Sequence, residues 1–484
     1  MPLIYALSHV PPEVSAYGMA KYSRSSASMR DSLLELSQQK AEAFLNTFYF
    51  SYGHASIADL AQIPLAIEQV SLLAAMEIVD EPLWDGQERS TRYQDFTHSP
   101  YFAPPMADSP YHQSIAGLFH LYQDLFSHAE EKLRARYPQP ETMKKGPYDR
   151  TIKARAFDLA RYALPLATLT SLGQVTNARI FEQQIRRLMA SSYPEVQEVA
   201  LGMKAAVKEL PPFNLLEARL AHLDIPLPEN IRAEMNPGPL APTLTKYTDA
   251  DAVTLKLRTR LQPIIEKQFS GVSQDSRAVA LHPLQDPVDD LLAGLIYEQS
   301  ALSYSEIVSR LHHLPGAEKN ELMGEILELR GPHDAWPRSL QQRPLIFDIL
   351  IDVGAFRDLN RHRRLDKITQ RLDIGLRYDT PSEFAELDLH DTYQTALDAH
   401  YRQIAASSAE LQPYLLPLAH RRRVLLRMDF AEAAYIIELR SRSSGHFSYR
   451  RIANAMWTEV QSQYPQLAQA IHVTPMEIFD PFER

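Results

Sequence analysis

The strongest constraint on the fold is a pattern that occurs twice. Arg92-Tyr93 follows the mostly apolar segment Ile63–Val79, and Arg377-Tyr378 follows the similar segment Pro344–Phe356. Each pair is followed in turn by Leu-Pro-Leu, at 164–166 and at 416–418. Counting on from each Leu-Pro-Leu without a gap aligns Asn177-Ala178-Arg179 with Asp429-Phe430-Ala431. A repeat of roughly 200–240 residues is too long for a solenoid and means two diverged copies of one domain.

Punctuation along the chain sets the boundaries. Prolines at 211, 212, 226, 228, 237, 239 and 242 mark 210–242 as a linker between a first domain, 1–209, and a second, 243–484. Helical patterning is expected over 113–137, 150–208, 287–330 and from about 390 to 462, and both apolar lead-ins carry helical spacing. Prolines 100, 104, 105 and 110 make 97–112 an irregular excursion. Ser56, with Asp59 three residues on, fits a capped helix start.

With 484 residues there is ample chain for two cores. A net charge of −10 argues against broad binding of nucleic acid or anionic membrane, so any anion site must be a local basic pocket. The chain has no cysteine, which excludes disulfides, thiolate metal ligation and a cysteine nucleophile. The first residues lack a basic segment followed by an apolar core, and no long uncharged apolar run exists, so a cytoplasmic protein without a membrane span is expected.

Arg361-His362-Arg363 is the densest cationic feature. Guanidinium forks grip phosphate or carboxylate bidentately, so the run fits an anion site; it fits a solvated basic helix end as well. Arg442, Arg450 and Arg451 beside His446 read either as a further anion patch or as surface salt bridges, and salt bridges are expected.

Taken jointly, Arg-His-Arg, the spaced serine and Arg-Tyr resemble the signature of the flavin-dependent thymidylate synthases, in two copies covering nearly the whole chain. The resemblance implies an α+β fold: two tandem domains, helix-rich with a small sheet in each. It implies FAD as cofactor, dUMP as the nucleotide substrate, and methylenetetrahydrofolate and NADPH as co-substrates. The family is homotetrameric and gathers each site from several subunits.

The family positions divide between the copies. In the first, His54, Ser56 and Asp59 match the element that contacts FAD, and Asn177 and Arg179 match the flavin Asn-x-Arg. Ser90, Arg92 and Arg161 match the phosphate ligands, and Arg187 matches the arginine that engages the uracil ring. The Arg-His-Arg positions read Asp80-Glu81-Pro82 instead. The second copy keeps Arg361, His362 and Arg363, with Arg361 implied for both nucleotide and flavin, and keeps Arg440 at the uracil-arginine position. It has Ala431, Pro413, Ala335 and Arg338 where other ligands belong, Asp366 in place of the first serine, and a longer loop before Arg377. The complementary losses imply a hybrid site, with the second copy donating Arg-His-Arg to the cradle of the first. A homodimer would then mimic the tetramer. Two alternatives follow from the altered loop: C5 modification of another pyrimidine nucleotide, and a flavin- or nucleotide-binding paralogue without catalysis.

Overall fold

The structure, a computed structural model, describes residues 10–21, 55–210, 215–223, 225, 228, 238–246, 248–252, 277–282, 286–299, 304–327 and 344–483, with a few isolated positions between 255 and 263. In chain order the main elements are α1 (Pro12–Lys21), β1 (Gln62–Ser71), α2 (Leu72–Val79), β2 (Asp85–Glu88), α3 (Ser109–Arg136), α4 (Lys145–Ala160), β3 (Leu169–Asn177), α5 (Ala178–Met189) and α6 (Pro194–Lys208). There follow β4 (Val279–Leu281), α7 (Pro287–Gln299), β5 (Leu345–Asp352), α8 (Val353–Leu359), β6 (Asp366–Thr369), α9 (His390–Ala406), β7 (Arg421–Met428), α10 (Phe430–Ser441) and α11 (Phe447–Gln463). The fold is α+β, and each copy supplies its own small sheet: β1-β3-β2 in the first, β4-β5-β7-β6 in the second.

Four helical expectations are corrected. Each apolar lead-in is a strand and then a helix, β1–α2 and β5–α8. Short apolar runs satisfy both periods, and here isoleucines at 63 and 67, and at 346, 349 and 351, favour the strand. The helix after β5 starts where Asp352 accepts the Ala355 N–H at 2.7 Å. The spans 150–208 and 390–462 are likewise interrupted by β3 and β7.

The chain packs as two compact units that interleave in sequence: 1–70, 74–89 and 170–272 form one, and 71–73, 90–169 and 273–484 form the other. In the first unit Ile63, Ile67, Trp84, Leu172, Phe181, Ile185 and Val207 share one core. Gly86 on β2 is opposite Gln174 on β3, and a Cβ there would come within 2.3 Å of the Gly173 carbonyl and 2.6 Å of the Trp84 ring, so only glycine fits.

In the second unit β5 and β7 pair antiparallel from Leu345–Met428 to Asp352–Arg421, with β6 on the far edge of β7. Helix α3 packs on α4 and on α9. The two Leu-Pro-Leu elements meet here. Leu166 N–H donates to Leu416 O at 2.8 Å, and Leu418 N–H returns to Leu164 O at 2.9 Å. The surrounding bonds repeat: Leu73 N–H to Leu166 O matches Gly354 N–H to Leu418 O, and Leu72 N–H to Thr168 O matches Val353 N–H to His420 O. Equivalent residues of the two copies therefore pair about a local pseudo-two-fold. Among the described residues no helix is long and apolar enough to cross a membrane.

Candidate active site

The second unit holds a cluster of guanidiniums drawn from both copies. Arg92 lies in the turn after β2, where its own N–H donates to Ser90 Oγ at 3.2 Å. Its guanidinium forks onto Asp158 of α4, at 2.8 and 3.2 Å, and donates its remaining edge to Tyr449 Oη of α11 at 2.9 Å. Burial opposes the charge on Arg92, but Asp158 outweighs it and the pKa is raised. Arg161, 2% exposed, sits at the end of α4 with Nη1 3.7 Å from Asp358 of α8. Its Nε and Nη2 are buried and have no hydrogen-bond partner.

Asp358 is the hub. Its carboxylate also takes Arg361, and its carbonyl accepts Arg440 Nη2 at 2.9 Å. Burial alone would raise its pKa, but Arg161, Arg361, Arg92 and Arg440 together lower it, so it stays ionised. These four guanidiniums converge on Asp358, with the Asp158, Glu432 and Asp352 carboxylates also close by.

His362 is buried one residue further on. Arg440 Nε lies 2.9 Å from its Nε2, and Glu432 Oε1 lies 3.2 Å from its Nδ1. An arginine N–H can only donate, so Nε2 must accept and Nδ1 must carry the proton that goes to Glu432. Burial lowers the His362 pKa, with Arg440 adding to the effect against Glu432, so the ring is neutral near pH 7. Arg361 is 57% exposed on its side chain and Arg363 is half-buried. The Arg440 guanidinium also lies over the Tyr449 ring, 5.5 Å from its centroid, while Arg92 lies 5.6 Å from the same centroid.

The remaining expected site residues lie in the first unit. Asn177 caps α5, accepting the Ile180 N–H at 2.9 Å, as Asp429 caps α10 by accepting the Glu432 N–H at 2.7 Å. Arg179 pairs with Asp59 at 2.8 Å, both partly exposed. Arg187 donates to the Glu77 carbonyl and to the Glu81 carboxylate, both at 2.7 Å. His54, and the side chain of Ser56, lie outside the described residues.

The two copies thus build the same arrangement with different charges. Arg187 on Glu77 O and Glu81 in the first repeats Arg440 on Asp358 O and His362 in the second. In the first copy a carboxylate neutralises the arginine. In the second a neutral imidazole takes the place of that carboxylate, and Asp358 supplies an opposing charge while burial lowers the Arg440 pKa.

Sequence reasoning missed Asp158, Asp358, Glu432 and Tyr449. Only Glu432 had a signal, since it stands three residues after the cap Asp429 in a capping-box pattern. The expectation of surface salt bridges near His446 is corrected for Arg450, which is 1% exposed. Among the described residues no His, Asp and Glu group could hold a metal ion.

The fold and the site define a class: a helix-rich α+β chain built from two copies of one domain, with arginines of both copies gathered around Asp358. The chain matches the family described as thymidylate synthase complementing protein over residues 6–213 and 293–466, and it belongs to that family, in tandem duplicate. A UPF0159 protein of Chlamydia muridarum is 28% identical over 96% of this chain and 90% of its own length, and one of Thermoplasma acidophilum is 28% identical over 94% and 93%. A flavin-dependent thymidylate synthase of Clostridium tetani is 26% identical over 43% of this chain and 82% of its own length. Among solved structures, a UMP/dUMP methylase from Streptomyces cacaoi bound with 5-Br dUMP is 17% identical, with TM-score 0.26 over 40% of this chain and 84% of that one. A flavin-dependent thymidylate synthase from Helicobacter pylori complexed with FAD and dUMP is 14% identical, with TM-score 0.29 over 40% and 99%.

Proposed function

We propose that this protein methylates dUMP to dTMP, with FAD, methylenetetrahydrofolate and NADPH. Family membership supports the reaction class. The observation that carries the reading to this chain is the convergence of Arg92 and Arg161 from one copy with Arg361, His362 and Arg440 from the other around Asp358.

The donor set fits an anionic nucleotide. Arg161 holds two buried N–H groups that lack an acceptor, and a phosphate dianion satisfies such groups with charge-assisted bonds. Arg440 takes the uracil-facing role in preference to Arg187, because Glu81 already holds Arg187. Its cation, kept in place by neutral His362 and the Asp358 carbonyl, stabilises negative charge as it develops on the pyrimidine ring. The donor set suits a flavin diphosphate too: Arg361 and Arg363 would hold it, and flavin when bound supplies two-electron redox chemistry. No protein nucleophile is required, which suits a chain without cysteine.

A second reading, modification of UMP, is favoured by the loop after Arg-His-Arg. There β6 and a 3-10 turn at Ile374–Leu376 precede Arg377, whose φ of 58° lies in the left-handed region.

The test is dTMP formation and NADPH oxidation by the purified protein with methylenetetrahydrofolate, comparing dUMP with UMP, alongside complementation of a thymidine auxotroph. Turnover with dUMP is expected, and light scattering should report a homodimer. Protein that binds neither flavin nor dUMP overturns the reading; flavin and dUMP binding without turnover points to a non-catalytic paralogue.

A further inference from the structure

An exposed ring is ordinary on a protein surface and needs no explanation by itself. Tyr435 on α10 differs in its neighbours. It is 52% exposed, and its ring meets the His362 imidazole at a steep angle, with centroids 5.7 Å apart and planes 69° from parallel. Residues three apart share one face of a helix, so α10 presents Glu432 and Tyr435 to the same imidazole. Tyr435 also lies within electrostatic reach of the Arg440 guanidinium. From there the pattern continues inward: Arg440 bonds His362 and covers the Tyr449 ring, and Arg92 covers that ring too. Tyr435, His362, Arg440, Tyr449 and Arg92 thus form one run of rings and cations. His362, Tyr449 and Arg92 are buried, so Tyr435 is the ring of this run that is open to an incoming ligand. The side chain of Arg361, one residue before His362, is 57% exposed as well. An exposed cation and an exposed ring at one site suit a ligand with an anionic group and a flat ring. The guanidinium selects the charge, and aromatic packing asks only for a planar partner.

We propose that Tyr435 is a ring-binding residue of this site, its open face packing on the pyrimidinedione ring of the bound ligand. Uracil and the isoalloxazine of flavin both carry that ring, so the shared chemistry is a flat, polar heterocycle. Tyr435 has this role only if the site takes nucleotide and flavin, as proposed above. The contact uses the ring and not the hydroxyl. Phenylalanine in its place should therefore serve, whereas leucine, apolar but not planar, cannot stack.

The test is titration of the full-length protein with FAD, followed by flavin fluorescence, and separately with dUMP, followed by calorimetry, for the parent, Tyr435→Phe and Tyr435→Leu. Stacking of a base on an aromatic side chain changes affinity about tenfold or more when the ring is removed. Tyr435→Leu should weaken at least one of the two ligands by that factor, with Tyr435→Phe within about twofold of the parent. The ligand that weakens names the ring. A loss that Tyr435→Phe shares in full, or parent affinity for both ligands in Tyr435→Leu, overturns the assignment and leaves the site reading intact. A parent protein that binds neither FAD nor dUMP brings down the site reading and the role of Tyr435 with it.

Discussion

The Arg161 guanidinium lies 3.7 Å from the Asp358 carboxylate, and both side chains are almost fully buried. One residue comes from each copy of the repeat, so the pair binds the copies together chemically as well as marking the candidate site. Breaking a buried pair leaves an uncompensated charge, which costs about 3–5 kcal/mol, whereas replacing both partners with apolar groups is far milder. Asp358→Asn should therefore lower stability by that order in urea unfolding, and the Arg161→Met, Asp358→Leu double variant should recover much of it. An Asp358→Asn protein as stable as the parent would show that the contact carries no energy.

Acidification should destabilise the second unit. His362, His400, His420 and His446 all have pKa values lowered by burial, His400 to about 4 and His420 to about 3. Below the ordinary histidine pKa the unfolded chain takes up protons that the folded ring refuses, at up to about 1.4 kcal/mol per pH unit for each group. Asp352 works in the other direction. Burial raises it to about 6, so its contribution is present at low pH and fades as pH rises through that value. Burial raises Asp379 in the same way, but four histidines outweigh two aspartates, and the melting temperature should fall steadily from pH 7 to pH 5. A melting temperature that rises over that interval would contradict the assignment of neutral buried rings. Asp358, lowered by its arginines, adds a further loss only when pH drops below the ordinary carboxylate range.

Residue order along the chain made some of this legible and hid the rest. The Leu-Pro-Leu pair revealed the duplication, and the gap-free count from it aligned Asn177 with Asp429, two residues that cap equivalent helices. Nothing in the order shows that the two Leu-Pro-Leu elements hydrogen-bond to each other, or that 90–169 packs with the later copy. Long-range pairing leaves no local signature. Asp358 reads as the polar face of a short helix and Tyr449 as one more core aromatic; their roles exist only once Arg161 and Arg92 arrive from some 200 or more residues away in the chain. The strand–helix lead-ins look helical in the sequence because continuous apolar stretches satisfy both periodicities.

Glu432 should control the chemistry of His362. Its carboxylate accepts the Nδ1 proton, which leaves Nε2 free to accept from Arg440. Glu432→Gln replaces a charged acceptor with an amide, and a hydrogen bond to a charged group contributes about 1.5–3 kcal/mol. Nucleotide affinity should fall roughly ten- to a hundredfold. Nitrogen NMR of the imidazole should show the Nδ1-protonated tautomer in the parent and a mixture in the variant. Identical tautomer populations in both would mean that Arg440 alone orients the ring.

Arg440 and Arg187 occupy equivalent positions, and the asymmetry between them predicts which one works. Arg187 is satisfied by Glu81 and by the Glu77 carbonyl, so its charge has little left to offer a substrate. Arg440 hydrogen-bonds a carbonyl and a neutral imidazole, with Asp358 as an opposing charge shared among four arginines, so more of its charge is left for an anion forming nearby. Removing a preorganised donor to developing negative charge lowers turnover about a hundred- to a thousandfold. Arg440→Ala should show a loss of that order in kcat, with a smaller change in KM for the nucleotide. Arg187→Ala should keep activity within a few-fold and lose about 1 kcal/mol of stability, the contribution of its partly exposed pair. If the pattern is reversed, with Arg187→Ala inactive and Arg440→Ala near normal, the working site is not the one built around Asp358.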